Sequence, residues 1–82
     1  MELDPRAVAD LQRLDAKIQA QIRTKLNQLR ENCDQRRHKA LKGKHSGKFS
    51  LRAADAYRVI YTFNKQSRSI FVHEIGHRSK IY

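Results

Sequence analysis

The sequence predicts an α+β fold: an N-terminal helical hairpin over residues 4–32, packed on a small antiparallel sheet of three to four strands. Two observations predict it. Apolar residues recur every three or four positions up to residue 32, then every two from Gly47 onward. The strand-like runs are also separated by gaps short enough for hairpin turns. With 82 residues the chain makes one small domain over 1–82, with a loop over 33–46 and strands over 47–76.

Asp4–Pro5 opens the first helix, because Asp caps and Pro fits the first helical position. Met1–Leu3 leave room for only a very short strand before it. Val8, Leu11 and Leu14 then form an apolar stripe. Asp15 caps a second helix or marks the bend in one long one. Ile18, Ile22, Leu26 and Leu29 fall on one face, with Gln, Arg, Lys and Asn opposite. That stripe is read as core packing, without chemistry. Residues 33–46 are polar and basic, a loop with one helical turn near Arg37–Leu41.

From Gly47 the period is two. Phe49 and Leu51 alternate with Lys48, Ser50 and Arg52. Tyr57, Val59, Tyr61 and Phe63 alternate with Arg58, Ile60 and Thr62, and the run SIFVHEI ends at Gly76. Ala53–Ala56 and Asn64–Ser67 are the hairpin turns, so these strands are antiparallel. The aromatic face packs on the helices, with Tyr57 and Tyr61 in the core. The opposite face carries Lys48, Ser50, Arg52 and Arg58, since alternate strand positions point the same way.

The charge is one-sided. Residues 1–34 hold six basic and six acidic residues, whereas 35–82 hold twelve basic and only two acidic, Asp55 and Glu74. The net charge of +10 therefore sits entirely in the second part, with all four histidines. Such a field concentrates phosphates and speeds their capture, which points to a polyanion, RNA above all. The basic residues do not line one face of an amphipathic helix, so a membrane surface is not the expected partner. No long apolar run predicts a membrane span, and no basic-then-apolar leader opens the chain. A single cysteine, Cys33, forms no internal disulfide and has no CxxC partner for zinc, which suits a reducing cytoplasm. His73 and His77 are four apart but on a strand-like segment, so no metal site is expected, and no cofactor motif is present.

LKG at Leu41–Gly43, GKFSLR at Gly47–Arg52, YRVIY at Tyr57–Tyr61 and IGHRSKIY at Ile75–Tyr82 together resemble the RelE/ParE superfamily of bacterial toxins, most closely its RelE-like branch. The resemblance spans nearly the whole chain. It implies the toxin of a type II toxin–antitoxin system that cleaves messenger RNA on the ribosome without a metal. The implied partners are a cognate antitoxin, messenger RNA and 16S ribosomal RNA, with operator DNA reached only through the antitoxin complex. It implies no membrane partner and a cytoplasmic location.

In such cleavage the 2′-hydroxyl attacks its own phosphodiester. A base, charge stabilisation at phosphate and an acid for the leaving oxygen are required. Arg58 and Arg78 match the phosphate-holding arginines, and Arg52 joins them. Lys48 matches a lysine on the first strand after the helices. A lysine can serve as base where like charges disfavour its protonated form, and Arg52, Arg58 and Arg78 supply such charges. Ser50 stands where the family prototype has a second lysine, which shifts weight to His77 as proton carrier. Tyr82 matches a C-terminal tyrosine that stacks on a base or aids the proton steps. Lys42 and Lys44 steer RNA, while His73 and Glu74 are read as structural or solvent-facing. The alternatives are a ParE-like gyrase inhibitor, which has no need of the His77–Arg78–Tyr82 group, and a catalytically weak member that binds only its antitoxin.

Overall fold

The computed structural model describes residues 1–32, 39–40, 43, 47–54, 56–64, 66–67, 69–77 and 79. Strand β1 (Glu2–Leu3) leads into helices α1 (Pro5–Gln12) and α2 (Ala16–Asn32). Strands β2 (Lys39–Ala40), β3 (Phe49–Ala54), β4 (Tyr57–Asn64) and β5 (Ser69–His77) follow. The sheet order is β1-β5-β4-β3-β2. The three long strands pair antiparallel as expected. The flanking strands extend the sheet to five, and β1 runs parallel to β5, so the sheet is mixed.

The helix starts follow from local chemistry. The Asp4 carboxylate accepts the Arg6 amide at 2.9 Å, satisfying one of the donors that a helix leaves open, and Pro5 occupies the first turn. The Asp4 amide itself donates to the Val72 carbonyl at 2.8 Å, which fixes the start of α1 against β5. Two helices form, not one bent one. The Gln19 side chain clasps the turn between them, donating to the Leu14 carbonyl at 2.8 Å. The Asp15 carbonyl accepts the Gln19 amide at 2.9 Å and opens α2.

Ile22, Leu26 and Leu29 of α2 are buried, as their spacing predicts. In α1 the buried residues are Ala7 and Leu11, and Val8 is 37% exposed. Leu14 packs against the same core, so the expected step of three holds from Leu11 to Leu14, while Ala7, four residues before Leu11, takes the place expected of Val8. These side chains meet Leu51, Val59, Tyr61, Ile70, Val72 and Ile75 from one face of the sheet. Tyr61 is fully buried and Tyr57 sits at the core's margin. Each buried aliphatic contributes about 1.5–3 kcal/mol.

Lys39–Ala40 is strand, where the sequence predicts a helical turn over Arg37–Leu41; the rest of that turn lies outside the described residues. Pairing with β3 (Lys39 with Ser50, Ala40 with Phe49) answers backbone groups that an edge strand leaves open, and this outweighs local preference. β3 runs on through Ala54 and β4 begins at Tyr57, so the first hairpin turn is shorter than Ala53–Ala56. In the second, Asn64 Oδ1 accepts the amides of Gln66 and Ser67 at 2.9 and 3.2 Å, a side-chain turn typical of Asn.

Candidate functional site

Cross-strand pairing decides which side chains share the face turned away from the helices. Arg52 pairs with Arg58, and Ser50 with Ile60. Residues directly opposite on neighbouring strands have Cβ atoms roughly 5 Å apart, so the two arginine side chains leave the sheet side by side. Lys48 precedes β3 by one residue and is half-buried. Gly47, with φ of 86°, turns the chain into that strand, a conformation that favours glycine. The structure thus brings Lys48, Arg52 and Arg58 to one face. The middle of that face is not open: Ser50 is 5% exposed and Ile60 fully buried.

β5 carries one extra residue. Ile60 pairs with Glu74 but Tyr61 with Val72, so His73 is a bulge. Its ring lies on the same face as Lys48. Nε2 is 3.0 Å from Thr62 Oγ1, and the ring meets Phe71 with centroids 4.8 Å apart. Burial first, then the Lys48 charge, hold His73 below the ordinary imidazole value of 6.5. Asp4 and Glu74 oppose this, and Arg6 reinforces it. A histidine set aside as structural in the sequence therefore stands beside Lys48. The signal for it was its step of two from Phe71, on the part of β5 where alternation is still unbroken.

The same bulge moves His77. Unbroken alternation from Phe71 and His73 would put His77 on the basic face. The extra residue inverts the phase, so that Gly76 pairs with Arg58 and His77 with Tyr57. His77 therefore lies on the helix side, with Val59 and Ile75, and is not brought together with Lys48 and Arg58. Its ring packs edge-on against Tyr57 at 5.7 Å. Its Nδ1 accepts the Ser79 amide at 3.2 Å, which leaves the proton of the neutral ring on Nε2. It lines a cleft of about 580 Å³ between α1 and β5, with Arg6, Asp10, Arg13 and Glu74. Lys42, Lys44, Arg78 and Tyr82 lie outside the described residues. Among the described residues no three His, Cys, Asp or Glu side chains are grouped to hold a metal, and no helix is long and apolar enough to cross a membrane.

Comparison with known proteins places this arrangement. Residues 1–82 match the family model described as the ParE toxin of type II toxin–antitoxin systems. No curated protein matches in sequence. Among solved structures, the RelBE2 toxin–antitoxin complex of Mycobacterium tuberculosis is similar with a TM-score of 0.78 and 25% identity, over 93% of both chains. The intact Escherichia coli RelBE complex gives 0.74 at 22% identity, over 93% of this chain and 92% of that one. The YoeB–YefM complex of Staphylococcus aureus gives 0.73 at 21%, with the same coverage. A two-helix layer on a sheet with these neighbours, together with a family match over its full length, establishes that the chain is a toxin of a type II toxin–antitoxin system and belongs to the ParE toxin family of the RelE/ParE superfamily.

Proposed function

We propose that this toxin is a ribosome-dependent endoribonuclease that cleaves messenger RNA and so halts translation. The observation that carries the reading is the Arg52–Arg58 pair on one sheet face with Lys48 at the strand's start. Two permanently charged donor forks on adjacent strands suit the two non-bridging oxygens of a phosphodiester, on which negative charge builds in the transition state. Lys48 takes the proton from the 2′-hydroxyl. The 2′-oxygen bonds to phosphorus, and the bond from phosphorus to the 5′-oxygen breaks. The 5′-oxygen leaves with a proton from an acid, giving a cyclic phosphate and a free 5′-hydroxyl. By resemblance Arg78 adds a third phosphate contact and Tyr82 serves the proton steps. His77, on the helix side of the sheet, has no proton-transfer role in this reading. Lys42 and Lys44 steer RNA. The similar structures are complexes with antitoxins, which supports a cognate antitoxin for this chain. An acidic segment of it would cover the basic face.

The experiment adds the chain to translating ribosomes and maps messenger 5′ ends by primer extension. Cuts that disappear in Arg58→Ala and Arg78→Ala variants support the reading. A second reading, gyrase inhibition, is favoured by the ParE description of the matching family. Intact messenger together with inhibited DNA supercoiling would select it. No effect on either would leave a protein that only binds its antitoxin.

A further inference from the structure

The basic row does not end at Arg58. On β4 the same face continues through Ile60 to Thr62, and on β5 it carries His73 and Phe71. Thr62 lies four residues beyond Arg58, roughly 13 Å along the strand. Phe71 and His73 are both half-exposed, their rings adjacent and tilted by 56°. Beyond them Thr62 and Phe71 open into a cleft of about 720 Å³ whose other polar lining residues are Glu2, Asn64, Gln66 and Ser69. Two rings bordered by polar side chains, a few nucleotides' reach from paired arginines, have the composition of a single-strand RNA subsite. Such subsites pair cations for the backbone with flat rings for the bases.

We propose that Phe71, His73 and Thr62 form a seat for one unpaired nucleobase of the RNA, beside Lys48, Arg52 and Arg58. This rests on the RNA reading above. Phe71 supplies the stacking surface. His73, whose protonation burial and the Lys48 charge both disfavour, borders it at a ring-to-ring distance of 4.8 Å. Asn64, Gln66 and Ser69 lie where the edge of a stacked base can be read. The seat confers a preference at one position of the bound strand, whereas the arginines hold phosphates of any sequence.

The test uses the full chain and a short oligoribonucleotide carrying 2-aminopurine, with 2′-deoxy sugars to block cleavage. The unaltered protein should change the fluorescence of the stacked base and bind this strand about ten-fold more tightly than one abasic at that position. Phe71→Leu, which keeps the apolar bulk, should abolish the fluorescence change and weaken binding by a similar factor. His73→Gln should reduce both. Equal binding of the base-containing and abasic strands by the unaltered protein overturns the seat, whatever the variants do. So does a Phe71→Leu variant that binds RNA normally but has lost affinity for its antitoxin, since the strip would then be a protein contact. Retained messenger cleavage with no stacking refutes the seat alone. Stacking without messenger cleavage refutes the nuclease reading alone.

Discussion

Thr62 Oγ1 and His73 Nε2 lie 3.0 Å apart across β4 and β5, at the one residue by which β5 exceeds its partner. Thr62 thus holds the ring on the basic face, where burial and Lys48 both disfavour its protonation. In the unfolded chain His73 titrates near 6.5; in the fold it titrates lower. Between those values the unfolded chain binds more protons, so stability rises with pH across that window and is lost as pH falls through 6.5 toward the folded value. His73→Gln should flatten this slope. Urea midpoints measured between about pH 7.5 and about pH 5 check it; an unchanged slope in the variant would refute the account.

Ser50 is buried, and its hydroxyl has no hydrogen-bond partner among the described residues. A hydroxyl so placed carries an uncompensated desolvation cost of about 1–3 kcal/mol. Ser50→Ala should therefore melt no lower than the parent and up to several degrees higher. Ser50→Lys, which restores the residue type of the family prototype, should melt lower, because it forces a charge into the same buried position. Thermal denaturation of the two variants tests the pair of expectations, and a strongly destabilised Ser50→Ala would contradict them.

Arg58 and Arg52 face each other on β4 and β3. If each holds a phosphate, Arg58→Ala should lower the slope of log affinity against log salt by about 0.7 for a single-stranded RNA. Arg58→Lys should restore that slope, because the charge is kept, but not messenger cleavage, because the planar fork is lost. Binding titrations at several salt concentrations, beside primer extension, separate the two effects. An alanine variant with an unchanged slope excludes the phosphate contact.

Asp4 caps α1 by accepting the Arg6 amide at 2.9 Å. Asp4→Ala should cost about 0.5–2 kcal/mol and Asp4→Asn far less, since Asn caps as well. The nearby Arg6 ion pair, 3.7 Å long on a side chain 77% exposed, adds little. Arg6→Gln should therefore leave the denaturation midpoint nearly in place, and a loss as large as that of Asp4→Ala would reassign the stability to the ion pair.

What the sequence disclosed and what it hid divide along physical lines. The α2 stripe of Ile22, Leu26 and Leu29 is legible because helix period is a local property and large side chains mark it. Ala7 is not, because a methyl group leaves almost no trace in a hydrophobicity pattern. β2 is hidden because two residues have no period, and it exists only where β3 offers an edge. Arg52 and Arg58 share a face because an unbroken strand alternates faithfully. His77 changed sides because a bulge is not written in composition, and the additional residue, His73, reverses every face assignment after it.

That additional residue has a consequence for how the chain tolerates change. Ile70, Val72 and Ile75 all reach the core, at steps of two and then three. Removing His73 would turn the step of three into a regular step of two and leave the apolar register whole. Removing Val72 would not. A chain lacking His73 should keep a cooperative thermal unfolding transition, and one lacking Val72 should not. The position itself lies outside the apolar core. Because the core makes no demand on it, the side chain there is free to be chosen by whatever the basic face must recognise.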